Sequence, residues 1–162
     1  TLLLASSNEL SAQSTRVRVS IKRVLNAAGQ PHAFWSQSKI DRWMRDSNKL
    51  FDQQLGIQLV LSEVQDLPDP GIANGGPSWA TIDRSQLTPM EQQAKANPAY
   101  YTWRSNAINI YLVHEIIGAG GVCSFPNGGH NEIIVVKPSI LNSSVGFAHE
   151  LGHYFNLLHT GK

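Results

Sequence analysis

The chain has a single cysteine, Cys123, among 162 residues. No intrachain disulfide can hold it, and cysteine usage carries no information about its compartment. Net charge is nearly absent, with thirteen basic residues against twelve acidic ones and a formal +1. There is no dense Lys/Arg cluster with interleaved aromatics, which argues against nucleic acid as a partner. Long apolar runs are missing too. Leu2-Leu3-Leu4 lacks the charged flank and the length of a signal peptide, and nothing in the chain has the length of a membrane span. Methionine occurs only at Met44 and Met90. No repeat, low-complexity tract or second domain is visible. What remains is one domain over residues 1–162, long enough to bury roughly 70% of the surface its unfolded form exposes.

Residues 1–15 show neither helical nor strand period and read as an arm whose order depends on docking. From Arg16, Val17, Val19 and Ile21 alternate with Arg18, Ser20 and Lys22, the period of a strand with one wet face. Ile40, Trp43, Met44, Ser47, Leu50, Phe51 and Leu55 then recur at three and four, predicting a helix with Ser36 or Ser38 at its start and Gly56 at its end. Ile57, Leu59 and Leu61 return to period two, so the first two strands should run parallel around the helix. Residues 66–105 read as an irregular insertion decorating a surface, with one short helix to about Ala96 begun by a Thr88-Pro89-Met90-Glu91 capping box. Further strands are expected at 107–113, at Val122-Cys123-Ser124-Phe125, and at the doubly apolar Ile133-Ile134-Val135-Val136, which suits a central position. The last helix follows Ser143 or Ser144. The fold class is therefore α/β (α+β), a mixed, mostly parallel twisted sheet of about five strands with a backing helix and a second helix carrying the histidines.

Three of the six histidines fall within His149-Glu150-Leu151-Gly152-His153-Tyr154-Phe155-Asn156-Leu157-Leu158-His159. On a helix, residues four apart differ by about 40° in angle and about 6 Å in height, so His149 and His153 can reach one ion. That places two imidazoles on one face, able to hold a zinc ion at about 2.0–2.1 Å. Glu150, one step round, is placed to bond a metal-held water, the arrangement of an HExxH site with its general base. On a continuous helix His159 would lie about 9 Å beyond His153 and on a different side. The helix must therefore break, and Asn156 is the residue suited to a left-handed conformation. Three neutral imidazoles leave a fourth position open, the mark of a catalytic zinc site rather than a closed structural one.

This stretch resembles the metzincin zinc-protease signature HExxHxxGxxH, with Asn156 in place of the usual glycine. Leu157-Leu158, Thr160, Gly121-Val122-Cys123-Ser124-Phe125-Pro126 and Ile133–Val136 make it most similar to the pappalysin branch. The resemblance implies a zincin-like fold and a Zn2+-dependent endopeptidase, with His149, His153 and His159 as ligands and Glu150 as base. It also implies that Val122, Cys123, Ser124 and Phe125 form the edge strand that pairs with an extended peptide substrate, and that the protein is secreted or extracellular. Metzincins continue past the third histidine into a C-terminal subdomain with a methionine turn. Both methionines here precede the motif, so the chain is expected to be the N-terminal catalytic subdomain, with that second subdomain as a missing partner.

The alternative is a non-catalytic zinc-containing peptide-binding module or an inactive fragment of such a protease; a zinc-stabilised structural domain is a third option. His114 and His130 read as surface histidines and Cys123 as a small buried side chain rather than a latency thiol. Asn142-Ser143-Ser144 matches a glycosylation sequon, relevant only in a eukaryotic secretory host. The four tryptophans read as packing.

Overall fold

The computed structural model describes residues 14–119, 121–123, 132–139 and 144–157. Almost all of the expected N-terminal arm lies outside these. Strand β1 (Thr15–Val24) is followed by helix α1 (Gln37–Leu55) and strand β2 (Ile57–Leu67), and β1 and β2 pair in parallel. The next segment contains a short helix α2 (Pro70–Ala73), a strand β3 (Thr81–Asp83) and helix α3 (Leu87–Ala96). Then come β4 (Ile108–Leu112), β5 (Glu115–Ile117), β6 (Gly121–Cys123), β7 (Ile133–Val136) and helix α4 (Ser144–Tyr154). The main sheet has the order β2-β1-β4-β7-β6. Its first four strands are mutually parallel and β6 alone is antiparallel, against β7. Strand β3 pairs in parallel with β5 in a separate two-stranded sheet that the sequence pattern does not announce.

One face of the main sheet packs against α1 and α4. Val19, Ile21, Ile110, Leu112, Ile134 and Val136 meet Ile40, Trp43, Met44, Phe51, Phe147 and Leu151 there. Helix α1 buries the stripe its period predicts, apart from Leu50 and Leu55, which stay largely exposed at its margin. Gly56 ends it with φ 62°, its N–H reaching the carbonyls of Asp52 and Phe51. At the other end Ser36 is the N-cap residue, but its hydroxyl contacts Ser38 Oγ at 3.2 Å and caps no backbone N–H.

The other face is not wet. Trp79, Ala80, Ile82, Leu87, Met90, Ala94, Tyr101 and Trp103 of the 66–105 segment cover Val24, Tyr111, Val113, Ile133 and Val135 in a second core. Ser20 and Lys22, expected to face water, are fully buried. The segment expected to decorate a surface thus supplies most of a second core. Asp69 anchors it: its carboxylate accepts from the N–H groups of Gly71, Ile72, Trp79 and Ala80 and from the Ser78 hydroxyl. Burial alone would raise the Asp69 pKa, yet the bonds from Ser78, Trp79, Ala80 and Ile72 outweigh it and hold the carboxyl below its ordinary range. Helix α3 also starts differently from expectation. It continues a 3-10 turn at Arg84–Gln86, and the capping box is Asp83 with Gln86, not Thr88 with Glu91. Glu91 is instead buried and paired with Lys95 at 2.6 Å.

Lys22 sits inside this second layer. Its ammonium donates to Asn109 Oδ1 at 2.5 Å and, more distantly, to the Ser20 carbonyl. Glu63 accepts from Ser20 and takes both arms of the Arg104 guanidinium. Burial pushes Lys22 down to about 7 from 10.5, with Glu63 opposing the shift and Arg104 adding to it. Between those two values the unfolded chain holds a proton that the folded chain has released, so unfolding free energy must rise with pH across the window and fall as pH drops through 7. Lys22→Met is expected to flatten that rise and to stabilise the fold at pH 6 by about 1–4 kcal/mol. Urea midpoints measured from pH 6 to 10.5 check this; identical pH slopes for the two proteins would contradict it.

Candidate metal centre

Aromatic contacts with α1 set the rotation of α4. Phe147 stacks on Trp43 with ring centroids 5.8 Å apart, and Phe155 lies against Phe51 at 5.4 Å. Phe147, Ala148 and Leu151 are buried beneath the helix, while Val145 and His149 face outward. With that face fixed, Glu150 and His153 fall at the boundary and are both buried.

The helix ends where its backbone turns left-handed. Phe155 N–H makes the last regular bond, to Leu151 O at 3.2 Å. Asn156 then takes φ 64°. Its N–H bonds the carbonyl of His153 at 2.9 Å, and the Leu157 N–H bonds that of Gly152 at 2.9 Å. This paired closure satisfies carbonyls that a helix terminus would otherwise leave open. The Leu157 side chain packs over Gly152, the apolar contact that accompanies such a cap.

The turn acts on the histidines directly. His153 Nδ1 lies 3.0 Å from the Leu157 carbonyl oxygen. A carbonyl only accepts, so Nδ1 carries the proton and Nε2 presents its lone pair. That lone pair meets the His149 ring, with the two Nε2 atoms 3.0 Å apart and the rings nearly perpendicular at 4.4 Å. With His153 Nδ1 donating to Leu157, a hydrogen bond between the two rings requires the proton on His149 Nε2. Two ligands on one tetrahedral ion with bonds of about 2.0–2.1 Å stand roughly 3.3 Å apart. The observed separation is a few tenths of an ångström shorter, so a zinc ion replacing the proton needs only a small opening of the rings. A ligand imidazole whose other nitrogen donates to a backbone carbonyl is also the usual supporting arrangement at metal sites.

Glu150 stands beside this pair and is only 4% exposed. Desolvation raises its pKa, and the nearby His153 works in the opposite direction. The result is a carboxylate more basic than one in water. Strand β6 forms one edge of the main sheet, in register Gly121↔Val136, Val122↔Val135 and Cys123↔Ile134, and it contacts α4.

Of the residues expected at this site, His149, Glu150, His153 and Asn156 are brought together on α4 and its cap, and the backbones of Val122 and Cys123 lie on the edge strand. His159, Thr160, Ser124, Phe125 and His130 lie outside the described residues. Among the described residues no three His, Cys, Asp or Glu side chains form a metal-holding group. His114 packs edge-on against His32, with ring centroids 5.3 Å apart; its Nε2 is buried, and burial together with His32 depresses its pKa. The Leu157 carbonyl as the group that orients His153 was not read from the sequence, although an apolar residue just after a left-handed asparagine is its signal. No described helix is long and apolar enough to cross a membrane.

Asn156→Gly should keep the cap and stabilise the protein modestly. Asn156→Val should cost about 1–2 kcal/mol, because a β-branched residue resists positive φ. By displacing the Leu157 carbonyl it should also weaken zinc binding about 10- to 100-fold. Thermal melts and chelator competition test both effects, and wild-type zinc affinity in the valine variant would show that the turn does not position His153. Comparison with protein-family models and with curated proteins found no match for the chain.

Proposed function

We propose that the chain is the zinc-binding catalytic subdomain of a secreted or extracellular pappalysin-like metzincin endopeptidase, acting on peptide bonds of an extended protein or peptide substrate. The observation that carries the reading is the pair of Nε2 atoms 3.0 Å apart on a helix that ends left-handed at Asn156. That ending is what lets the following segment return His159 toward the same point.

His149, His153 and His159 would hold the ion. When bound, zinc supplies a Lewis acid that polarises a carbonyl and acidifies a water. Glu150 takes the proton of the attacking water onto its carboxylate and returns it to the leaving amine nitrogen. Its burial supports that role, because a desolvated carboxylate is a stronger base. His153 keeps its Nε2 lone pair aimed at the ion through the Leu157 carbonyl. The open edge of β6 offers backbone donors and acceptors to an incoming peptide strand, which would add antiparallel to the sheet.

Glu150→Gln is expected to lower cleavage of a denatured protein by about 10²- to 10⁴-fold while zinc content stays at about one per chain. Retained cleavage would refute the base assignment. Stoichiometric zinc and peptide binding with no turnover in the unsubstituted protein would make it a binding module instead.

A further inference from the structure

The 66–105 segment forms a half-open groove of about 640 Å³ between α2, the residues that follow it, and α3. It borders Trp79, Met90 and Tyr101 of the second core, so it opens on the side of the sheet away from α4. Its volume lies within the range of small-molecule sites.

The lining carries no charged side chain. Its polar groups include four carboxamides, on Asn74, Gln86, Gln93 and Asn97. Its wall is aromatic: Trp79 and Tyr101 stack with ring centroids 4.8 Å apart and planes 25° from parallel, and the Tyr101 hydroxyl accepts from Asn74 Nδ2 at 3.0 Å. A phosphate, carboxylate or ammonium entering here would lose hydration and find no counter-ion. A carboxamide both donates and accepts, and so does a hydroxyl. Alternating hydroxyls and C–H faces therefore match an amide rim beside an apolar wall.

A second observation bears on the same wall. Thr102, the residue after Tyr101, has φ 52°, and its hydroxyl is buried with no hydrogen-bond partner among the described residues. For a β-branched residue this is strain, which persists only where neighbouring contacts over-determine it and which concentrates at ligand clamps. Here the neighbours are tied down: Tyr101 N–H bonds Asn97 O, its carbonyl accepts from Tyr111, and Trp103 N–H bonds Pro98 O. With its backbone bonded on both sides, Tyr101 stacks against Trp79.

From this uncharged, amide-rimmed, aromatic-walled groove we propose a binding site for a neutral saccharide of one or two rings. It stands apart from the zinc reading and would survive its failure. The test is calorimetry and saturation-transfer NMR on the full 162-residue chain with maltose and N,N′-diacetylchitobiose, with glucuronic acid as the charged comparator. At least one neutral sugar should bind with a dissociation constant of about 1 mM or tighter, and glucuronic acid at least about tenfold more weakly. Gln93→Ala, at an exposed position on α3, should weaken binding at least about tenfold without lowering the melting temperature. Chelation of metal should leave binding unchanged. Silence of both sugars at about 10 mM would overturn the proposal. So would equal binding of glucuronic acid, full affinity in Gln93→Ala, or binding of only a blocked dialanine amide.

Discussion

The hydrogen bond from the Leu157 N–H to the Gly152 carbonyl can form only because Asn156 takes a positive φ. Everything distinctive about the last helix follows from it. Without that reversal the chain would continue along the α4 axis, and the Leu157 carbonyl could not accept from His153. The same turn closes a helix terminus and brings the Leu157 carbonyl within 3.0 Å of His153 Nδ1. Asparagine tolerates this conformation because its short polar side chain can bond locally, which most residues cannot do.

The helix can present its histidines only if its other face is held. Trp43 and Phe51 on α1 hold it through Phe147 and Phe155, and α1 is itself seated on strands whose second face is covered by the 66–105 segment. Covering both faces leaves every residue of β4 and β7 buried, the polar Asn109 and Tyr111 among them. It also traps Lys22, whose ammonium is supported by Asn109, the Ser20 carbonyl and the charge of Glu63 against the opposing charge of Arg104. Such a group costs stability unless every donor finds a partner.

Where contacts are local, the sequence was readable. The three-and-four period of Ile40 to Phe51, the glycine after Leu55 and the β-branched run at Ile133–Val136 depend on nearest neighbours, and the structure has a helix, a left-handed cap and an inner strand there. The spacing of His149 and His153 is of the same kind. Elsewhere the deciding contact lies far along the chain. Nothing near Ser20 or Lys22 reveals that the 66–105 segment will close over that face. Asp69 reads as one acid among prolines until Trp79 and Ala80 turn their N–H groups toward it. The Thr88-Pro89 start was outcompeted by an earlier box, because Asp83 with Gln86 nucleates a 3-10 turn that runs directly into the helix. The edge-on contact of His32 with His114 was equally invisible, since it joins loops eighty-two positions apart.

We propose that three imidazoles converge on one ion because the chain reverses at Asn156. X-ray absorption at the zinc edge, recorded on the metal-loaded protein and on His159→Ala, tests it most directly. The account predicts three imidazole nitrogens and one further light ligand at about 2.0–2.1 Å, with one imidazole lost in the variant. A spectrum showing only two imidazoles, or one that the substitution leaves unchanged, would contradict it.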